Sequence, residues 1–196
     1  EEWMFRRPIS RKAAAIRFFD FSKDAVILGY AQATDAVRYP SSTFDIARRP
    51  TGGSHMHVGQ NVLAYTFAFP RNGLFSNYEE MRAYCAENVA GALEDLGVRK
   101  IEVDNKASTI NVNNSVVASH AIIWGHKSGL LHGLIIMDPY DMKTLNQRVY
   151  LAERKIGSKT YREYSALSNI PAVSTLVDGI EPNLPARERL RITKNL

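Results

Sequence analysis

The longest apolar run in the chain is Val62-Leu63-Ala64-Tyr65-Thr66-Phe67-Ala68-Phe69. A run this unbroken, with no alternation to polar residues, is the pattern of a strand covered on both faces. Before it, Phe44-Asp45-Ile46-Ala47 reads as a short strand that delivers Arg48 and Arg49 to a turn, Pro50-Thr51-Gly52-Gly53. Two earlier apolar segments, 14–21 and 25–30, read as strands, with Ser22-Lys23-Asp24 as a hairpin-length turn between them. Residues 31–37 suit a short helix, and Pro40-Ser41-Ser42 a loop.

Beyond Pro70 and the turn Arg71-Asn72-Gly73, the period changes from strand to helix. Met81, Tyr84, Cys85, Val89, Leu93 and Leu96 recur at helical spacing, and Gly97 supplies a stop. Ser76 with Glu79 three residues later predicts a capping box at the start of this 76–96 helix. Four β-branched segments then follow, 100–103, Thr109–Val112, 116–124 and 130–137, with Asn113-Asn114 and 125–129 as turns, a meander pattern. Helices are expected at 142–151, capped by 138–141, and from Ser158 to Leu167. Pro171, Pro182 and Pro185 mark a looser 169–196 segment ending in basic residues. At the other end Glu1–Phe5 suits the close of a helix, broken by Pro8 among Arg6, Arg7, Arg11 and Lys12. The expected fold is one α/β (α+β) domain spanning 1–196, its core about 13–168. A central mixed sheet carries 14–30, 44–70 and 100–137, flanked by helices including 76–96.

Size and composition fit this picture. At 196 residues, 45% apolar and 23% charged, the chain suits an ordinary single globular domain. No apolar run approaches the roughly 20 residues of a membrane span, so no membrane partner is expected. No signal-peptide pattern precedes the fold, and with a single cysteine, Cys85, a reducing, cytoplasmic setting is expected. Cys85 lies on the apolar stripe of the helix and reads as a core residue. The formal charge of +5 favours acidic partners. Nucleic acid is not expected among them, because no recognition motif or aromatic–basic ribbon is present.

The candidate chemistry gathers in two places. In Arg48-Arg49-Pro50-Thr51-Gly52-Gly53-Ser54-His55-Met56-His57, the paired glycines permit close backbone approach to a ligand, and the arginines offer forks for carboxylate or phosphate. A tight loop with two solvated arginines is the competing reading. His55 and His57, at strand spacing, place both rings on one face, with His120 or His132 conceivable as a third metal ligand. Hydrogen-bonded pocket histidines are favoured over that, and no metal is assigned.

The Arg-Arg-x-Thr-Gly-Gly motif resembles the signature of the lipoate–protein ligase, octanoyltransferase and biotin–protein ligase superfamily. Two further segments agree in order: 15–32, which ends in Gly29-Tyr30-Ala31-Gln32, and Leu131-His132-Gly133-Leu134, similar to a late His-Gly strand. The resemblance covers most of 13–145. It implies that Arg48, Arg49, Thr51, Gly52, Gly53 and Ser54 contact the ligand, joined by His55, His57 and Asn61, and by Ala121, His132 and Gly133 from the later strands. The implied ligand is lipoate, octanoate or the corresponding adenylate, not covalently bound. The implied activity is lipoyl or octanoyl transfer to the lysine of an acidic lipoyl carrier domain, with a separate accessory ligase chain as another partner. A non-catalytic acyl- or nucleotide-binding domain, or the structural half of a split ligase, is the alternative. No Gly-Arg-Gly-Arg-like loop is present, which disfavours a biotin ligase.

Two departures stand out. Counting back from His132-Gly133 without a gap, the family's strand lysine falls on Val116, its Ser-Gly pair on Ala118-Ser119, and its Asn-Asp pair on Ser108-Thr109. Neither cation nor metal-side carboxylate is kept, so ATP and Mg²⁺ are not expected as partners. The family histidine of the loop falls on Val58, with His57 one residue away. A one-residue slip on a strand reverses the face.

Overall fold

All nine residues of Val62–Pro70, strand β6, are buried, and the rest of the fold is arranged on their two sides. The structure is a computed structural model and describes residues 4–5, 14–33, 37–38, 45–71, 73–137, 150–151 and 191–194. In chain order the other elements are β1 (Ala15–Phe19), β2 (Ala25–Leu28), β3 (Val37–Arg38), β4 (Asp45–Arg48) and β5 (Met56–Val58) before β6. The helix α1 (Tyr78–Asp95) follows, then β7 (Ile101–Asp104), β8 (Thr109–Val112), β9 (Ser115–Trp124), β10 (Ser128–Ile136), β11 (Tyr150–Leu151) and β12 (Arg191–Lys194). A seven-stranded sheet runs β12-β1-β6-β10-β9-β8-β7. It is mixed because β12 joins β1 in parallel while its other described pairings are antiparallel.

The expected mixed α+β architecture is present, with two corrections. Residues 14–30 do not form a hairpin: β1 pairs with β6, whereas β2 lies in a separate three-stranded sheet, β4-β2-β5. Each strand carries enough apolar residues for either sheet, so local pattern could not choose its partner. Strands β4 and β5 likewise leave the expected single sheet. The 142–151 helix lies outside the described residues apart from Tyr150–Leu151, which pairs with β3 as a strand. Of the expected 31–37 helix, residues 31–33 are turn and irregular chain and Val37 opens β3, so the described part is not helical; 158–167 lies wholly outside the described residues.

The helix is one residue shorter at its start than its sequence signals indicate. Asn77, not Ser76, is the N-cap: its side chain accepts from Glu80 N at 2.8 Å, while Ser76 N donates to Glu80 Oε2 at 2.7 Å. Because Asn is as good a cap as Ser, the cap forms one step later, and the Glu80 carboxylate reaches back past it to Ser76 N. Gly97 ends the helix with φ +91°, a left-handed conformation that glycine adopts without strain. The buried side of α1, with Met81, Cys85, Val89 and Leu93, packs on Ile16, Phe18, Leu63, Tyr65, Phe67, Phe69, Leu131 and Ile135 of the sheet. Cys85 is fully buried there, its thiol held well above its ordinary pKa by burial.

Alternation along β6 therefore sends 63, 65, 67 and 69 to the helix side. The even positions face the small sheet and the 49–54 loop. There Val62, Ala64, Leu134 and Ile136 meet Val58, Ala25, Ile27 and Met56 of the small sheet, with Phe19 and Phe21. Farther along the same face, Ala68 and Leu130 form a second apolar cluster with Met4, Phe5, Ala15 and Ile123. Among the described residues, no helix is long and apolar enough to cross a membrane.

Candidate functional site

Between these two apolar clusters runs one polar row. Arg17 of β1 stands beside Thr66 of β6, Thr66 beside His132 of β10, and His132 beside Ala121 of β9. The row belongs to one face because directly opposed residues of antiparallel strands point the same way. The 49–54 loop closes onto it: Thr51 Oγ1 lies 2.6 Å from His132 Nε2, both residues buried.

The loop is held by the arginines. Arg49 is buried, and its Nε donates to Thr51 Oγ1 (3.0 Å) and Gly52 O (3.2 Å). Its Nη2 donates to Gly52 O and Ser54 O, each at 2.7 Å, and its Nη1 to Ile27 O at 3.4 Å. Arg48 reaches the 29–32 turn, where its Nη1 donates to the carbonyls of Gly29, Tyr30 and Gln32. Both guanidinium groups thus spend donors on backbone carbonyls and act as two staples of the loop. A fork with five N–H groups can gather several carbonyls at once, which lysine could not do. The staples bring the Gly-x-x-Gln and Arg-Arg-x-Thr-Gly-Gly motifs together, though they are separated in sequence.

The two loop glycines differ. Gly53 has φ +93°, and a Cβ there would stand 2.8 Å from Arg49 Nη2. Its carbonyl packs so closely on Gly29 that a side chain has no room at Gly29. Gly52 has open space where its Cβ would be, and like Gly53 and Ser54 it is exposed.

His55, just before β5, and His57 within it meet edge to face, ring centroids 5.7 Å apart. Burial holds His57 at about 4, with His55 adding to the effect, so it is neutral near pH 7. Burial, then the nearby Arg49 charge, also lowers His55. His120 cannot join them as a third ligand. Its register partner is Gly133, in the row of Phe18 and Tyr65 on the helix side of the sheet. Among the described residues, no three His, Cys, Asp or Glu side chains cluster as a metal site.

Gly133 likewise opens to the helix side, where the Tyr65 ring fills the space a side chain would take. Asn61 sits at the start of β6, its carbonyl accepting from Met137 N at 2.8 Å. The structure thus gathers Arg49, Thr51, Gly52, Gly53 and Ser54 with His132 and Ala121. It leaves His120 and the open side of Gly133 on the far face.

Val116 is buried, and a bulge decides its direction. Ile110 opposes Ala118 while the next residue, Asn111, opposes Val116, so Val117 is the extra residue. Val117 and Ala118 both join the helix-side core, and Val116 turns with Asn111 to the face of the loop. Strict alternation would have placed it with Ala118.

Sequence reasoning passed over Arg17 and Thr66. The available signal was an arginine in the middle of an otherwise apolar strand, Ala15-Ile16-Arg17-Phe18-Phe19, and a threonine alone among the apolar residues of β6.

Residues 1–180 match the model of the lipoyl protein ligase A/B catalytic domain family. A comparison with curated proteins finds no match. Among solved structures, the chain resembles the bi-partite lipoate protein ligase of the lipoylation system of Thermoplasma acidophilum, with TM-score 0.72 at 16% identity over 93% of this chain and 75% of that one. A lipoate-protein ligase A bound with ATP gives 0.69 at 16% identity, over 93% and 77%. LipL1 of P. falciparum in complex with lipoate gives 0.66 at 14%, over 92% and 53%.

Proposed function

The chain belongs to the lipoyl protein ligase A/B catalytic domain family, and on that premise we propose that it holds a lipoyl or octanoyl group against the sheet face under the 49–54 loop. It passes that group, already activated, to the lysine of a lipoyl carrier domain. The lysine amine attacks the acyl carbonyl, an amide bond forms as the bond to the leaving group breaks, and the amine's proton departs with the leaving group. The observation that carries this reading is the Thr51–His132 bond. It fixes a glycine-bearing loop above a face with apolar patches on both sides of a short polar row. Medium-chain hydrocarbon gains about 0.8 kcal/mol for each CH₂ buried on such a surface.

Activation by ATP is left out for a chemical reason. Where the resemblance expects a cation, the loop face carries the buried, uncharged Val116. Where it expects an Asn-Asp pair, Ser108 and Thr109 offer no carboxylate for Mg²⁺. Neither residue set fits a nucleotide–metal centre, and no step is derived through one.

The test supplies a lipoyl domain with octanoyl-adenylate in one reaction, and with octanoate, ATP and Mg²⁺ in another, and measures the mass of the domain. Octanoylation in the first alone is expected, without pyrophosphate exchange in the second. Octanoylation in both would show that other residues perform activation. A second reading, a binding subunit of a two-chain ligase, is favoured by the bi-partite likeness. It predicts acyl binding with no transfer in either reaction.

A further inference from the structure

Two half-buried arginines, Arg17 and Arg82, and the buried His120 lie outside the loop's staples. The latter two belong to the helix side, where Arg82 of α1 lies near enough to His120 to depress its protonation. Arg17 is different, because it stands in the polar row of the loop face.

Its guanidinium carbon sits 4.4 Å above the centre of the Phe19 ring, two residues along the same face. Its Nε is buried and meets no hydrogen-bond acceptor among the described residues. Phe19 itself packs with Ala64, Leu134 and Val62 in the apolar cluster at one end of the row. At the other end, Ala15, Ala68 and Leu130 close the second cluster. A charged fork therefore stands at the boundary of two apolar surfaces, one strand from Thr66 and two from His132. Strands lie about 4.8 Å apart, so Arg17 stands roughly two strand spacings from His132, on the face that Thr51 also borders.

An apolar surround makes a cation costly unless an anion or strong acceptor answers it. The other arginines of this region already serve backbone carbonyls, and the two loop histidines are neutral near pH 7. We propose that Arg17 binds the oxygen end of the acyl group: the carboxylate of the free acid, or the carbonyl oxygen of its activated form. It thereby supplies from β1 the positive charge that Val116 does not supply from β9. Resting on the acyl-binding reading above, this inference adds the residue that recognises the head group and sets the direction of the chain. The hydrocarbon lies along the apolar cluster of Phe19, Ala64 and Leu134, and the reactive end lies in the row.

Calorimetric titration of the whole chain with octanoate and with octan-1-ol tests it. The two probes share a hydrocarbon tail and differ in the charge of the head. The unmodified chain is expected to bind octanoate more tightly. Arg17→Gln should weaken octanoate about tenfold or more, while changing octanol by less than about twofold. Arg17→Lys keeps the charge and should retain most of the octanoate affinity, which separates charge pairing from mere packing on Phe19. Equal loss of both probes in Arg17→Gln, or unchanged octanoate binding, would overturn the assignment to Arg17 while leaving acyl binding intact. If the unmodified chain bound neither probe, the acyl-binding reading itself would fall, and this inference with it.

Discussion

On the helix side of β6, Tyr65, Phe67 and Phe69 form an aromatic stair, with Tyr65 edge to face on Phe67 and Phe67 stacked on Phe69 at 6.3 Å. On the loop side, the intervening Ala64, Thr66 and Ala68 are small, and the space they leave is shared by a loop, a small sheet and a polar row. Large side chains on one face and small ones on the other are what a strand needs when it must support a core and also leave room for a visitor. Polar groups lie on both faces. On the helix side, Tyr65 Oη and both His120 ring nitrogens are buried without a hydrogen-bond partner among the described residues. On the loop side, Arg49, Thr51 and His132 are joined in a chain of bonds, while Arg17 Nε meets no acceptor among the described residues. The first face carries the core, and the second is the face on which binding is proposed.

The contrast can be broken most strongly at Phe67. Phe67→Ala should lower the unfolding free energy by about 3–5 kcal/mol in urea denaturation, through lost burial and the cavity left behind. At urea concentrations where the variant is still folded, octanoate affinity should be unchanged.

Acid acts on both faces through histidine. His57 and His120 are held at about 4 by burial, helped by His55 and Arg82 respectively, against 6.5 in the unfolded chain. Between those values the unfolded chain binds the extra protons. The stability contributed by the neutral rings is therefore complete above about pH 6.5 and lost as pH falls through about 4, on the order of 3 kcal/mol for each. His120→Leu should remove about half of that slope in melts between pH 7 and 4.5. An unaltered slope would show that His120 is not protonated on unfolding in that range.

Thr51→Val removes the hydroxyl between Arg49 and His132 while keeping the shape. Leaving both partners short of a bond should cost about 1–3 kcal/mol, and octanoate affinity should fall as the loop loosens. Loss of stability with affinity intact would show that the loop does not border the ligand.

The smallest expected change in stability is at Gly52, which has open space around it. Gly52→Ala should change it by less than about 0.5 kcal/mol, yet weaken acyl binding because the methyl group enters the approach path. The same substitution at Gly53 should be destabilising, since φ +93° and Arg49 both oppose a side chain.

The strands β6, β8, β9 and β10, the helix and its glycine stop were legible because each is written in local periodicity. So was the burial of Cys85, from its place on the apolar stripe. The roles of Arg48 and Arg49 were not legible. Two exposed-looking arginines before a Gly-Gly turn read equally as ligand forks or as staples, and the carbonyls they hold come from residues 27–32 and 52–54. Arg17 and Thr66 escaped notice because a polar residue in an apolar strand shows its meaning only when its cross-strand neighbours are known.

By itself, the sequence determined the periodic elements, the covered central strand, the motif that ties the chain to its family, and the uncharged side chain at Val116. Only the tertiary structure decided which sheet each strand joins, and which face each side chain takes. Pairing is a choice among distant segments of similar pattern, and the bulge at Val117 reverses the face on which strict alternation would have placed Val116. Side-chain direction depends on the count of residues between paired strands, and that count is fixed only when the strands meet.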